Sequence, residues 1–251
     1  MSDSFIQLKD VDVTNPYQSD VLEIEGVNWA LQPGQFWMLG GAQNSGKSSL
    51  ISILAGLQQA HAGEALLFGE SLKMSSEHEF IPTKSRVATV LDQGGRIFHQ
   101  LTVWENLALP LQYHRDWDEQ QITLQVQDLL ARGGLQGFAR SSPTSLNLLL
   151  KQRVAILRAT ALEPDVLILD KPLLEPGSNW VQDFVQEWVA TGYGRKRPGI
   201  VVVATDNLPE WEPLATHVAL IKNKRLVVAG ELQTYLAQKP AFLKDFSPER
   251  L

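Results

Sequence analysis

Eight consecutive residues, Gly41-Ala42-Gln43-Asn44-Ser45-Gly46-Lys47-Ser48, have the types and spacing that phosphate chemistry needs. Glycines at the two ends of the turn let the backbone fold tightly enough for its N–H groups to close around phosphate oxygens. Lys47 offers a cation to β- and γ-phosphates, and the Ser48 hydroxyl offers an oxygen to magnesium. Gln43, Asn44, Ser45 and Ser49 complete the candidate nucleotide-contacting positions. The flanks suit the loop. Phe36-Trp37-Met38-Leu39 is expected to be a strand feeding it, and Ser49–Ala55 a helix leaving it, whose dipole favours an anion at its start.

A second chemical candidate is Asp170, which ends the apolar run Val166-Leu167-Ile168-Leu169. Alone, such a run is a core strand with a polar cap. Beside a phosphate-binding loop, a carboxylate at the end of a strand can orient magnesium and its waters. Tyr17 is a third candidate. It falls in a turn at Asn15-Pro16, where an exposed aromatic either stacks on a purine or simply packs the turn.

The chain has 251 residues, 44% hydrophobic and 20% charged, enough for one large domain with a full core. Its net charge of −6 argues mildly against nonspecific nucleic-acid binding, so no nucleic-acid partner is expected. It contains no cysteine, which excludes disulfides, thiol catalysis and cysteine-ligated zinc. The first residues lack the basic and apolar regions of a signal peptide, and no apolar run approaches 18 residues. A cytoplasmic location is the expectation. The seven tryptophans are expected to pack in the core or at partner interfaces.

The elements that must position these residues follow in order. Short strand-like runs are expected at Phe5–Leu8 and Val21–Ile24, then a strand at Gly63–Gly69, a polar loop over 71–84 and a buried strand at Val87–Leu91. Thr102-Val103-Trp104-Glu105 is a capping box opening a helix toward Leu111. A second helix spans 118–132, with Gly133 as its stop, and a third about 146–162. Residues 96–155 are thus expected to form a helical subdomain inserted between sheet strands. Gly199–Ala204 reads as a buried strand, His217–Ile221 and Arg225–Ala229 as a hairpin, and Glu231–Ala237 as a last helix.

This order of parts resembles the ATP-binding subunit of ABC transporters over nearly the whole chain. The matching stretches are the loop 41–48, Ile97–Val103 following Gln93, and Gln152–Ala159 leading to Leu162–Asp170. The resemblance implies a single α/β domain over 1–251. Its fold would be a P-loop NTPase of ABC-ATPase type, with a mixed sheet core, an N-terminal antiparallel β subdomain and the inserted helices. It also implies ATP and Mg2+ as cofactors, and Tyr17 as the aromatic that stacks on adenine. Ser48, Gln93 and Asp170 would be the magnesium contacts, Gln93 also sensing a membrane partner. A second ABC ATP-binding subunit would be a partner, in a homo- or heterodimer. Transmembrane permease subunits would hold the chain on the inner face of the membrane.

Four departures from the family pattern bear on catalysis. The Leu-Ser-Gly-Gly-Gln signature falls on Leu146-Asn147-Leu148-Leu149-Leu150, which puts bulk where backbone should approach phosphate. The general-base glutamate is replaced by Lys171, whose ammonium cannot accept a proton from water unless its pKa drops by several units. The switch histidine aligns with Thr205. The Ser-Ala-Leu-Asp turn is replaced by Leu174-Glu175-Pro176-Gly177. The pattern implies a nucleotide-binding subunit that hydrolyses poorly or not at all. The competing readings are an active ATPase using Glu175 as an unorthodox base, and a scaffold that binds no nucleotide.

Overall fold

The computed structural model describes residues 4–72, 85–91, 95–191 and 199–243. The strands are β1 Ile6–Asn15, β2 Gln18–Leu31, β3 Phe36–Gly41, β4 Ala62–Leu67, β5 Glu70–Ser71, β6 Val87–Val90, β7 Val166–Asp170, β8 Ile200–Ala204, β9 His217–Lys222 and β10 Arg225–Glu231. The helices are α1 Lys47–Leu54, α2 Val103–His114, α3 Glu119–Gly133, α4 Leu148–Thr160, α5 Trp180–Thr191 and α6 Leu232–Leu243.

Two sheets form. The first is antiparallel, in the order β2-β1-β4-β5; the second runs β10-β9-β3-β8-β7-β6. In the second, β9, β3, β8, β7 and β6 are mutually parallel and β10 is the antiparallel edge. This is the mixed core and N-terminal antiparallel sheet expected of an ABC-type P-loop fold.

The apolar strands of the second sheet are covered on both faces, which is why they read as unbroken hydrophobic runs. Alternate side chains divide between two cores. Phe36, Met38, Leu167, Leu169, Val201 and Val203 face a core shared with α2–α5. Trp37, Leu39, Val166, Ile168, Ile200, Val202 and Ala204 face the antiparallel sheet and α1. Leu50, Ile51, Ile53 and Leu54 of α1 are fully buried between the sheets. Side chains of this kind contribute about 1.5–3 kcal/mol each on full burial, so the start of α1, and the loop before it, sit on a rigid base. An edge-on contact between Trp29 of β2 and Trp37 of β3, 5.2 Å between centroids, ties the sheets together. All seven tryptophans are buried or packed against a core.

Several elements differ from their sequence expectation. β1 and β2 are far longer than the two short runs, because register shifts interrupt the period-2 pattern between Leu8 and Asn15. Asp10 and Gly26, both at positive φ, mark these irregularities. The first helix begins two residues earlier than expected, at Lys47. The stop of α3 is Gly134, at φ 63, rather than Gly133. Gly133 is instead a packing glycine, since a Cβ there would lie 2.5 Å from Leu157. The capping box at Thr102 forms as expected, and Asp118 with Gln121 forms another at α3.

Helix α5 is an element the sequence reading did not name. Its signal was an i, i+4, i+8 aromatic stripe: Trp180 stacks on Phe184 at 5.3 Å, and Phe184 on Trp188 at 6.1 Å. No helix among the described residues is long and apolar enough to cross a membrane.

Candidate nucleotide site

The loop between β3 and α1 has the form its glycines suggested. Gly46 stands at the N-cap of α1 with φ 91, and no side chain caps the helix. Its first-turn amides are therefore left for an outside acceptor, with the positive end of the dipole behind them. Asn44 also lies in the left-handed region, at φ 59. A Cβ on Gly41 would stand 2.6 Å from Ser45 Oγ, and one on Gly46 would stand 3.0 Å from Glu23 Cβ. Ser45 Oγ is buried and has no hydrogen-bond partner among the described residues. Gln43, Asn44 and Ser48 are exposed, while Lys47 and Ser49 are buried. A tight loop, a free helix N-terminus and a buried orphan hydroxyl all fit a bound phosphate.

Strand order then determines which side chains meet this loop. β8 lies between β3 and β7, and Asp170 is in register with Ala204. The ends of three parallel strands therefore converge, as at the ligand edge of other α/β sheets. From β3 comes Lys47 and from β7 come Asp170 and Lys171. From β8 comes Asp206, a residue that sequence reasoning missed.

Lys47 Nζ donates to Gly41 O, Ala42 O and Asp206 Oδ1, each at 2.8 Å. Lys171 Nζ lies 3.3 Å from Asp206 Oδ2. Lys171 has φ 47, unusual for a side-chain-bearing residue, and its N–H donates to Ala204 O at 2.9 Å. Burial lowers the pKa of Lys47, partly offset by its bond to Asp206. Burial pushes the Asp206 carboxyl up, but the hydrogen bonds and charges of Lys47 and then Lys171 outweigh this and hold it below its ordinary value. Asp170 is buried and its charge reaches Lys47.

Thr205, expected at the switch position from sequence, is buried just past the end of β8. Its hydroxyl accepts from Asn207 N at 3.0 Å, and its N–H donates to Leu39 O. The side chain from β8 that reaches Lys47 is Asp206. The signal for it was its place, two residues beyond a buried parallel strand.

A cleft of about 270 Å³ opens over the loop and is lined by Tyr17, Glu23, Asn44–Ser49 and Lys171, among others. Tyr17 is 90% exposed at its rim. Glu23 is the second residue the sequence reading overlooked; its carboxylate accepts from Asn15 Nδ2 at 2.8 Å and borders Gly46. Gln93 lies outside the described residues.

Ser48 is exposed at the start of α1 and Asp170 is buried at the end of β7. No cluster of three or more His, Asp or Glu that could hold a metal exists among the described residues. A cation here would need phosphate oxygens to complete its shell, as is usual for Mg2+.

Residues 146–150 lead into the start of α4. Asn147 caps α4 and accepts from Leu150 N at 2.9 Å, so that amide is already used. Leu148 is 48% exposed, and Leu150 packs against the core. Glu175 is also occupied: its carboxylate accepts from Arg153 of α4, whose guanidinium also donates to Gly133 O and lies over the Trp180 ring.

Comparison with known proteins bears on the family and the fold. A family model described as ABC transporter matches residues 24–174. The sulfate/thiosulfate import ATP-binding protein CysA of Xylella fastidiosa is 31% identical over 90% of this chain and 64% of its own length. The spermidine/putrescine import ATP-binding protein PotA of Chromobacterium violaceum is 36% identical over 90% of this chain and 61% of its own. The chain thus spans about 55–64% of the length of the curated relatives it matches. Among solved structures, the dimeric post-hydrolysis state of the ATP-binding cassette MJ0796 bound to ADP and Pi superposes with a TM-score of 0.78 at 22% identity. It covers 88% of this chain and 96% of that one. CbiO1 of Clostridium perfringens, part of the cbiONQ complex, gives 0.78 at 19% identity, covering 97% and 94%. A single family accounts for the loop, the strand order around it and these matches: the chain belongs to the ABC transporter family.

Proposed function

We propose that this chain is an ATP-binding subunit of an ABC transporter complex that binds Mg-ATP and hydrolyses it poorly or not at all. Its role would then be structural or regulatory. The observation that carries this reading is Lys171 at the end of β7, directly after the buried Asp170, with its ammonium 3.3 Å from Asp206. A general base there would have to be an acceptor, and an ammonium tied to a carboxylate is a donor only. Glu175 is directed elsewhere, since its carboxylate accepts from Arg153 of α4.

The proposed binding residues are the loop Gly41 and Gln43–Ser49, with Tyr17 against the base and Ser48, Asp170 and Gln93 about the magnesium. What magnesium supplies when bound is charge on the phosphate oxygens. The chain's own part is to hold the phosphates on the loop amides and Lys47. A second ABC ATP-binding subunit and transmembrane permease subunits are the proposed partners. They would place the chain on the inner face of a membrane, and residues 1–251 would be one ATP-binding domain with helices inserted at about 96–155. The import ATP-binding proteins among its relatives favour a transport complex over other settings.

Nucleotide binding is the first part to test. A ligand that binds only the folded state at 100 times its Kd adds about 2.7 kcal/mol, which for a domain of this size raises Tm by about 5–10 °C. Thermal melts with and without Mg-ATP should show that rise, and Lys47→Ala should lose it. An unchanged Tm, or a rise that persists in Lys47→Ala, would remove the nucleotide from the proposal.

A further inference from the structure

The phosphate-loop lysine already has a complete set of acceptors. An ammonium has three N–H donors, and Lys47 places one on Gly41 O, one on Ala42 O and one on Asp206 Oδ1, all at 2.8 Å. The other oxygen of Asp206 faces Lys171 Nζ at 3.3 Å. Asp206 therefore bridges two cations at the place where the loop lysine would meet the outermost phosphate of a bound nucleotide. Lys47 and Lys171 stand there against Asp170 and Asp206, and the Glu23 carboxylate borders the same loop. A diphosphate brings only its β-phosphate toward this lysine, and the loop amides and the start of α1 share that charge. The additional phosphate of a triphosphate brings its charge to a lysine that is already neutralised, and it must displace the carboxylate or sit beside it.

We propose that Asp206 reserves the γ-phosphate position, so that this site selects nucleoside diphosphates over triphosphates. The inference rests on the reading of the loop as a nucleotide site. Asp206 is also able to yield, because its side chain is about half exposed while that of Lys47 is 3% exposed. It therefore acts as a competitor whose effect is a ratio of affinities rather than an absolute block. Lys171 strengthens the competitor, because it holds the carboxylate from the far side. The same carboxylate would keep the loop closed on its own lysine when no nucleotide is present.

The test is a comparison of binding constants, by calorimetry, for Mg-ADP and a non-hydrolysable Mg-ATP analogue. It uses the whole chain, Asp206→Asn and Asp206→Ser. Like charges a few ångströms apart near a protein surface, partly screened, are expected to separate the two nucleotides by about tenfold. The wild-type chain should bind ADP about tenfold more tightly than the analogue. Both substitutions should tighten the analogue by about that factor and change ADP by a factor several times smaller. Equal affinities in the wild-type chain would overturn the proposal, and so would a parallel change in both nucleotides in the variants. Either result would leave nucleotide binding itself standing. Failure of the wild-type chain to bind either nucleotide would instead sink the loop reading, and this inference with it. The wild-type ratio needs no variant, so the proposal stays open to refutation even if a substitution disturbs folding.

Discussion

Supplied with ATP and magnesium, the purified chain should release phosphate no faster than its Lys47→Ala variant. Three features add to this expectation. Lys171 stands where a base would accept the proton of the attacking water, and the loss of a general base costs about 10²–10⁴ in rate. Asp206 places a carboxylate against Lys47, where developing phosphate charge needs donors instead. Residues 147–150 present a capped helix start and an exposed leucine, with the Leu150 amide already spent on Asn147. In a symmetric dimer, both composite sites would carry all three defects. A steady-state phosphate-release assay run beside Lys47→Ala checks the expectation. A rate clearly above that control would show a base or a donor set that this account lacks.

Repair of the three features should restore turnover only when all are repaired. One set of changes is Lys171→Glu with Asp206→His, which supplies a base and removes the carboxylate facing Lys47. The other is Asn147→Ser, Leu148→Gly, Leu149→Gly and Leu150→Gln, which rebuilds the family's signature. Lys171→Glu alone is expected to do harm, because it leaves Lys47 among Asp170, the new glutamate and Asp206 with no second cation. The signature changes alone give donors to a site that has no base. Groups that act as a unit are strongly non-additive, so the combined protein should exceed the sum of the two sets by about 100-fold. Two glycines in the first turn of α4 cost about 1 kcal/mol each in helix propensity. Circular dichroism melts should therefore accompany the rates. Strong turnover from Lys171→Glu with Asp206→His alone would mean that residues 147–150 do not disable the site.

The parts of this site that were legible in the sequence are the ones built from neighbours in the chain. The loop 41–48 could be read at once because its glycines, lysine and serine act within one turn. Asp170 was legible because an acid ending an apolar run is a local pattern. Asp206 was not, since its meaning depends on β8 lying between β3 and β7, a relation fixed by tertiary packing. Alignment by strand end put Thr205 in the switch position, whereas backbone geometry turns that hydroxyl onto Asn207 and sends the next side chain to Lys47. Glu23 was hidden for a similar reason: the bulged pairing of β1 with β2 brings it to Gly46 from a strand that looked short.

At the level of the fold, buried strands were found readily because both faces of their sheet are covered. The long antiparallel pair was underestimated because its bulges break the alternation that marks a strand. Helix α5 is legible from its stripe of Trp180, Phe184 and Trp188, which follows closely on the Pro176-Gly177 turn. Glu175, which sequence proximity had offered as a base, is held by Arg153, a pairing made only when α4 packs beside the segment after β7.

The central claim is that this site binds a nucleoside triphosphate, less tightly than a diphosphate, without cleaving it. The most direct measurement is the fate of the bound nucleotide. The chain in molar excess is mixed with ATP labelled at the γ-phosphate, with magnesium, and the bound fraction is separated and quenched over a time course of hours. The account predicts that the label is recovered as intact ATP, retained by the wild-type chain and absent from Lys47→Ala. Recovery as free phosphate, at a rate that Lys47→Ala abolishes, would contradict it.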